Sequence, residues 1–303
     1  MKVICSSEES LYRPEAVRWR ERMQLMKPIG DTVVLLPCSM KKPYSNSKSH
    51  MKFRKVTRSF QELIITSPFG ICPRELEETF PIQSYDVAVT GNWSQDEIDE
   101  SGKILKEYVK GKTVVAHVSG GYEEVCRQYL DDCIYTCVDG KPTSPDSIYN
   151  LRMELKNHPK ISRRQKVLNK LKSIAVYQWG EKASEFIPED VKTKGQFHKK
   201  ILSGNKQLAM LNMHQGLYTL NLEGGRVLKD LGINIVNIDF DLKTNTVFAP
   251  GIESADHKII PQDEVVVVRG DEVVGVGKAV MTGREMEECD NGIGVNLKHR
   301  VKN

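Results

Sequence analysis

Short apolar runs alternate with amphipathic segments along the first half of the chain. The run from Thr32 to Leu36 is β-branched and leucine-rich, which is typical of a buried strand. Residues 52–63 instead carry apolar side chains at helical spacing, and Ser94 to Glu97 form a capping box that predicts the start of another helix. This alternation with short connections predicts a parallel, doubly wound sheet. The further predicted strands are Leu63–Thr66, Asp86–Thr90, Thr113–His117 and Ile134–Thr136.

A loop rich in glycine, proline, serine or aromatic residues follows each of the first four predicted strands. Because the carboxyl ends of parallel strands share one edge of a sheet, we expect a single crevice there. Glycine and proline that only turn the chain are the alternative. The loops span residues 38–50, 67–74, 91–93 and 119–122. Their candidate substrate-binding residues are Pro37, Ser67, Pro68, Phe69, Gly70, Arg74, Gly91, Asn92, Trp93, Gly121 and Tyr122.

The first of these loops concentrates reactive side chains, and we take five of them as candidate catalytic residues. Cys38 is the candidate nucleophile, because the pKa of a thiol falls beside lysines and at the start of a helix. Lys42 suits an anion or a carboxylate. Tyr44 offers a ring for stacking on a base and a phenolic donor, and Ser47 offers a hydrogen bond to a base edge or a carboxylate. His50 suits either of two roles, carrying a proton or holding a phosphate. A small hydrophobic Cys38 buried under the loop is the alternative.

The second half of the chain changes character twice. Residues 145–180 look helical and basic, residues 190–229 are short, mixed and glycine-punctuated, and an all-β pattern with frequent turns begins at Gly232. We therefore expect an α/β catalytic core over residues 1–186, a small α+β connector over 187–229 and a small β-barrel over 230–303.

The charge of the chain is unevenly distributed. Residues 151–206 contain fourteen Lys/Arg and five Asp/Glu, a local charge of +9, although the whole chain has a net charge of only +4. Such a basic segment indicates a polyanionic partner, and a solvated lysine-rich helix face is the alternative. The candidate RNA-binding residues are Arg163, Arg164, Lys199, Lys200, Lys278 and Arg300.

Composition favours a globular protein of the cytoplasm. Hydrophobic residues make up 39% and charged residues 28% of the chain, no apolar stretch is long enough to span a bilayer, and no secretory signal is present. The seven cysteines are an odd number without framework spacing, which suggests a reducing compartment. No metal site is expected, since Cys133 and Cys137 have no second ligand pair. No cofactor is expected either, since no P-loop or dinucleotide fingerprint follows a strand.

The stretch from Pro37 to His50, Pro-Cys-x3-Lys-Pro-Tyr-x2-Ser-x2-His, resembles the signature of the archaeosine synthases, an archaeal tRNA-modifying family related to archaeosine tRNA-guanine transglycosylase. The sheet half also resembles uracil-glycosylase-like domains, and the C-terminal part resembles a PUA domain, an RNA-binding small barrel. Further matches to the synthases are 67–70 with 73–76, 85–86 through 91–93, and 177–180. The PUA matches are 248–251, 263–265, 274–279 and 292–295.

The resemblance implies a reaction on tRNA that already carries 7-cyano-7-deazaguanine in its D-loop. An amine, the side chain of free lysine in one version of the pathway, adds to the nitrile to give an amidine adduct, which a radical-SAM lyase then cleaves to archaeosine. Longer relatives carry an N-terminal transglycosylase-like barrel, so the resemblance implies a short form of the family, with a separate chain as a possible source of that barrel. We also expect a homo-oligomer that does not associate with membranes.

Other functions stay open at this point. A non-catalytic tRNA-binding subunit that presents substrate to a partner enzyme would bind without turnover. A glycosidic-bond enzyme would need a carboxylate at a strand end, and Asp86 begins its strand rather than ending it. A ribosome-associated RNA-binding protein would leave the motif from Pro37 to His50 unexplained.

Overall fold

The structure, a computed structural model, describes residues 3–5, 8–87 and 92–301. The chain forms two compact units, residues 1–173 and 174–303, and the division falls within a long helix. The elements up to that helix are β1 Val3–Cys5, α1 Pro14–Met23, β2 Thr32–Pro37, α2 Lys48–Thr57, β3 Gln61–Thr66, β4 Gly70–Pro73, β5 Tyr85–Val87, α3 Gln95–Tyr108, β6 Thr113–Ala116, α4 Gly121–Tyr129, β7 Ile134–Tyr135, α5 Pro145–Leu155 and α6 Arg163–Trp179.

A five-stranded sheet organises the first unit. Its strand order is β4-β3-β2-β6-β7, with β2, β3, β6 and β7 parallel and β4 antiparallel to β3. The carboxyl ends of β2, β3 and β6 therefore lie at the same edge, which confirms the predicted parallel α/β arrangement for these strands.

The position of the central strand explains why its sequence is apolar. All of Val33–Leu36 is fully buried, because β2 lies in the middle of the sheet between β3 and β6. Alternate residues of β2 face α2 and α5. Helix α1 contacts the edge of the sheet, where Trp19 donates its indole N–H to the carbonyl of Ile71 in β4 at 2.9 Å. The core cluster on the α2 and α5 side comprises Val34, Leu36, Phe53, Phe60, Val115, Leu151 and Leu155.

Several predicted elements differ from the observed ones. The predicted third strand of the sheet is instead β5, which pairs in parallel with β1 in a separate two-stranded sheet, and residues 88–90 of that prediction lie outside the described residues. The helix expected over 52–63 is α2, which begins at Lys48 and gives way to β3. The stretch expected as the loop 67–74 contains β4, and the helical stretch 145–180 is two helices. The spacing of apolar residues alone misplaced these boundaries, because short apolar segments fit both the helical and the strand period.

The second unit is mostly β-structure. Strands β8 to β11 form an antiparallel sheet in the order β11-β10-β9-β8, and the other six strands form a mixed sheet in the order β13-β17-β16-β15-β12-β14, in which β12 and β15 are parallel. We keep the division at residues 186 and 229 as a proposal. The elements are β8 Lys192–Lys194, β9 His198–Ser203, β10 Lys206–Asn212, β11 Leu217–Leu220, α7 Leu222–Asp230, β12 Ile235–Ile238, β13 Thr246–Phe248, β14 Ile252–Ala255, β15 Glu264–Arg269, β16 Glu272–Ala279, α8 Gly283–Glu288 and β17 Ile293–Arg300.

Gly224 tests the packing of α7 on β10. A Cβ at this position would lie 2.1 Å from the carbonyl oxygen of Leu208, a backbone atom that cannot swing aside. Gly→Ala in a helix ordinarily stabilises by about 1 kcal/mol, so the overlap should reverse the sign. We expect Gly224→Ala to lower the free energy of unfolding by about 1–3 kcal/mol in urea titrations. A more stable variant would contradict the observed helix–strand packing.

Candidate functional site

Two loops at the sheet edge bring a thiol and a phenol together. Cys38 follows the last residue of β2, and Tyr122 lies in the first turn of α4, which the chain reaches after leaving β6. Because β2 and β6 are parallel neighbours, both loops leave the sheet at the same edge. The Sγ atom of Cys38 and the Oη atom of Tyr122 are 3.0 Å apart, a hydrogen bond in which either atom can donate.

The Cys38 thiol is protonated at rest. Burial raises the pKa of Cys38, and the hydrogen bond from Tyr122 and the charge of Lys42 offset that rise only in part. The expectation that nearby lysines and a helix start lower the pKa of this thiol is therefore wrong, because the loss of solvent outweighs them. Cys38 as a whole residue is partly buried.

An aromatic wall and an open cavity adjoin this pair. The ring of Trp93 packs edge-on against the ring of Tyr122, with centroids 5.1 Å apart. Trp93 also lines a cavity of about 480 Å³, which falls in the size range of small-ligand sites. Gly120 precedes α4 with φ of 60° and ψ of −139°, a conformation that glycine adopts readily. The cavity is lined by Asn92, Trp93, Ile98, Gly120, Gly121, Glu123, Glu124 and Arg127.

Lys42 is held above an aromatic ring at the same end of the sheet. Its ammonium nitrogen donates to the carbonyl of Ser39 at 2.6 Å and lies 4.1 Å from the ring centroid of Tyr85, a cation–π contact. The side chain is half-buried. Lys42 therefore places a fixed positive charge near Cys38.

Tyr44 does not offer its ring to a ligand. Its side chain is fully buried, and its hydroxyl contacts the hydroxyls of Tyr85 at 2.6 Å and Thr66 at 3.3 Å. Burial also raises the pKa of Tyr44 well above the usual value, so the phenol stays neutral. The expected stacking of Tyr44 on a base stays a prediction, which the buried ring of this structure does not support. The residue supports the loop from below.

His50 and Ser47 likewise serve the loop from inside the protein. Arg74 Nη2 donates to His50 Nδ1 at 2.7 Å, and because arginine only donates, the other ring nitrogen, Nε2, carries the proton and donates to the carbonyl of Pro37 at 3.0 Å. Burial and the charge of Arg74 hold the pKa of His50 well below its usual value. Ser47 caps α2 by accepting from the His50 amide. Both side chains are buried, and their expected roles towards the substrate stay predictions.

Arg74 is the centre of a buried ion network. Its guanidinium contacts Glu62 at 2.9 Å and Glu77 at 2.8 Å, and all three side chains are largely inaccessible. Burial opposes the charge of Arg74, but the two carboxylates raise the pKa of the guanidinium overall. Three of its donor nitrogens are thereby used, with His50 as the third acceptor. In this structure the contacts of Arg74 are to the protein, and its predicted binding to substrate stays a prediction.

The loop after β3 contributes less exposed surface than expected. Pro68, Phe69 and Gly70 are buried, and the Phe69 ring packs against Tyr85 with centroids 4.8 Å apart. Their role as substrate ligands stays a prediction. Ser67 is also buried and donates to a carboxylate oxygen of Glu97. Of the remaining candidates, Pro37, Asn92, Trp93 and Gly121 are at least partly exposed, Tyr122 is mostly buried, and Gly91 lies outside the described residues.

Sequence reasoning missed three residues at this edge. Thr66 and Tyr85 complete the hydroxyl cluster with Tyr44, their oxygens 2.5 Å apart. Glu97 completes the capping box that the sequence predicts, and its carboxylate also accepts a hydrogen bond from Ser67. A strand-terminal threonine and a capping glutamate carry no sequence signal for such contacts, because the partners are distant along the chain.

The candidate RNA-binding residues lie in both units. Arg163 and Arg164 are exposed at the start of α6 in the first unit. In the second unit, Lys199 and Lys200 lie on β9, Lys278 lies on β16, and Arg300 at the end of β17 donates to the carbonyl of Leu242 at 3.0 Å. Their binding to RNA stays a prediction.

Metal-binding groups and membrane-spanning helices are both absent from the described ranges. Within residues 3–5, 8–87 and 92–301, no three His, Cys, Asp or Glu side chains come together as a group able to hold a metal ion. None of the helices in these ranges has the length and apolar character that crossing a membrane requires.

Three family models match consecutive parts of the chain. Residues 16–155 match a domain of unknown function, DUF5591. Residues 169–232 match the patch-forming domain C2 of tRNA-guanine transglycosylase. Residues 236–301 match the PUA domain, which confirms that expectation for the C-terminal part. The uracil-glycosylase-like resemblance of the sheet half stays a prediction.

Similarity over nearly the whole of this chain points to one family. The chain is 35% identical to the archaeosine synthase of Methanocaldococcus jannaschii, over 98% of this chain and 54% of that protein. It is 36% identical to archaeosine synthase subunit alpha of Methanosarcina acetivorans, over 99% of this chain and 52% of that protein. The chain thus spans about half the length of these curated relatives. The crystal structure of AF0587, a protein of unknown function, is similar with a TM-score of 0.76 and 31% identity, covering 94% of this chain and all of that one.

The buried imidazole makes a prediction about stability and pH. Because the pKa of His50 is depressed in the folded state, the unfolded chain takes up this proton first as the pH falls below about 6.5. Stability is therefore complete above that pH and is lost at up to about 1.4 kcal/mol per pH unit below it. Glutamine supplies one donor and one acceptor but does not titrate.

We expect His50→Gln to flatten the dependence of the free energy of unfolding on pH between about 7 and 5, in urea titrations at several pH values. The buried His117, whose pKa is also lowered by burial, remains in both proteins, so part of the slope persists. Identical slopes for the two proteins would contradict the assignment of a neutral His50.

Proposed function

The chain belongs to the archaeosine synthase family, as the motif from Pro37 to His50 predicted, and we propose that it modifies tRNA in archaeosine biosynthesis by adding an amine to the nitrile of 7-cyano-7-deazaguanine. The observation that carries this proposal is the contact between Cys38 and Tyr122 at the carboxyl edge of the parallel sheet. This pair lies beside a partly exposed tryptophan and an open cavity. A flat base and a small electrophile fit such a site.

The first step of the proposed chemistry uses the protonated thiol. The Cys38 sulfur adds to the nitrile carbon, one π bond of the nitrile breaks, and the thiol proton ends on the nitrogen to give a thioimidate. The addition is neutral in protons overall, and because the pKa of Cys38 is raised, the proton must leave the sulfur as the sulfur attacks. The Tyr122 hydroxyl, 3.0 Å from the sulfur, is placed to accept that proton while it passes its own to the nitrile nitrogen.

The second step releases the enzyme. The amine, which we propose is the side chain of free lysine, attacks the thioimidate carbon and forms a carbon–nitrogen bond. The carbon–sulfur bond then breaks, one amine proton returns to the sulfur, and the product is an amidine. No electrons are gained or lost and no cofactor is consumed. The ammonium of Lys42, which donates to the carbonyl of Ser39 and lies against the Tyr85 ring, would supply the positive charge that faces the carboxylate of the incoming amino acid.

Holding the tRNA is the second part of the proposed function. The PUA domain over residues 236–301 and the basic segment would contact RNA phosphates, whose binding weakens steeply with salt. The D-loop base must leave its stack to reach Cys38, at a cost of a few kcal/mol that these contacts would offset. We further propose that the reaction takes place in the cytoplasm, that the protein forms a homo-oligomer, that a radical-SAM lyase acts on its product, and that a transglycosylase-like chain is a partner.

A tRNA-presenting subunit without catalytic activity remains the competing function. The names of some relatives, such as archaeosine synthase subunit alpha, indicate assemblies of more than one chain. Under that alternative, substrate tRNA binds tightly, but no base changes mass in the absence of a partner.

The test is the mass of the modified nucleoside. With nitrile-bearing tRNA and free lysine, the unchanged protein should yield a base heavier by one lysine. We expect Cys38→Ala to abolish the adduct and Tyr122→Phe to slow it by about 100-fold, the usual size of a proton-transfer contribution. Cys289→Ala removes a partly exposed thiol of the other unit and should have no effect.

A second readout separates covalent from direct attack. If lysine is omitted, the thioimidate should accumulate as a protein–tRNA complex that survives a denaturing gel and disappears in Cys38→Ala. Near-normal turnover of Cys38→Ala would exclude covalent catalysis, and tight binding with no mass change in any protein would favour the presenting subunit.

A further inference from the structure

Helix α2 presents a charged face that the proposed chemistry does not use. Residues 48–58 contain five cations and no carboxylate, and all five side chains are exposed. The opposite face of the helix, with Phe53 and Thr57, is buried. The five cations are Lys48, Lys52, Arg54, Lys55 and Arg58.

A groove of about 640 Å³ lies at the C-terminal end of this helix, within the first unit. Arg54 and Arg58 of α2 line one part of it, and Arg163, Lys166 and Lys170 of α6 line another. Both helices thus turn basic side chains towards the same space, although they are separated by a hundred residues of sequence.

The carboxylates that also line the groove have partners within the protein, and the lining contains six Arg and Lys side chains against four Glu. Glu62 and Glu77 are paired with Arg74, and Glu78 is paired with Lys170. Glu75 accepts from the amide nitrogens of Gln61 at 3.0 Å and Asn169 at 2.6 Å, and burial raises its pKa. The groove therefore keeps a surplus of positive charge.

Three arginines supply that surplus. Among the described residues, Arg54, Arg58 and Arg163 form no ion pair with a carboxylate, whereas Lys166 donates to the backbone carbonyls of Arg58 at 3.0 Å and Phe60 at 2.6 Å. A guanidinium presents a planar fork of donors that matches the oxygens of a phosphate. Unpaired arginines around one groove indicate an anionic ligand.

We propose that this groove and the exposed face of α2, together the α2–α6 basic surface, bind the phosphate backbone of the substrate RNA. The cations extend along the helix instead of converging on one point, which fits a chain of phosphates better than a single anion. The proposal rests on the proposed function in one respect, namely that RNA is the substrate.

The position of α2 links this surface to the reactive loop. The helix follows Ser47, its N-cap, which belongs to the same loop as Cys38. The eleven steps from Ser47 to Arg58 correspond to about 16 Å along a helix axis, a length that several consecutive phosphates span. Phosphates a few nucleotides from a base extruded towards Cys38 are therefore within reach of the arginines.

The experiment compares two double variants with matched charge. Arg54→Gln with Arg58→Gln removes two of the proposed contacts. Lys106→Gln with Lys110→Gln removes two exposed cations of the same unit, one on α3 and one just beyond its end. Affinity for nitrile-bearing tRNA is measured at several salt concentrations. We expect the arginine variant to bind on the order of tenfold more weakly and its salt slope to fall by about 0.7–0.9 for each lost contact. The lysine control should match the unchanged protein.

Further readouts distinguish the possible outcomes. At saturating tRNA, the arginine variant should form adduct at the normal rate, so that KM rises while kcat is kept. Unchanged affinity and slope would overturn the inference and leave the proposed function intact. If the arginine variant binds tRNA more weakly but the unchanged protein forms no adduct, the proposed function is refuted and the α2–α6 basic surface still stands as an RNA-binding surface. If a nucleoside 5′-monophosphate binds the groove through these arginines while tRNA binding is unaffected, the surface serves a small ligand and the inference is wrong.

Discussion

The parallel pairing of β2 with both β3 and β6 is the constraint on which the site depends. It places three strand ends at one edge of the sheet, so the loops that follow converge without any long-range covalent link. Cys38 meets Tyr122 there because each lies just beyond the end of its own strand. A reversal of either strand would move one loop to the opposite edge and separate the thiol from the phenol.

A buried polar scaffold holds the reactive loop in place from below. Arg74 joins Glu62, Glu77 and His50, and His50 in turn donates to the backbone carbonyl directly before Cys38. Charges of this kind are costly to bury unless every partner is present, so the network fixes one arrangement of the loop. The same arginine borders the groove of the α2–α6 basic surface, which makes the motif residues a physical connection between the two proposed functions.

The sequence predicted the location of the site better than the roles of its residues. Apolar runs identified the strands, and the residues after them identified the edge, because those signals are local. The motif could not reveal that Tyr44 and His50 face inward, since spacing states which residues are near each other and not which ones meet solvent. Sequence patterns also could not predict the antiparallel β4 or the separate pairing of β5 with β1, because both depend on the three-dimensional pairing of strands.

The central claim is that the nitrile meets the sulfur at this edge. The most direct measurement is a crystal structure of Cys38→Ala bound to a nitrile-bearing tRNA fragment, in which the reaction cannot proceed. The account predicts the base against Trp93, with its nitrile carbon in the space that the sulfur vacates and its nitrogen next to the Tyr122 hydroxyl. A base bound elsewhere on the chain, with that space filled by protein, would contradict it.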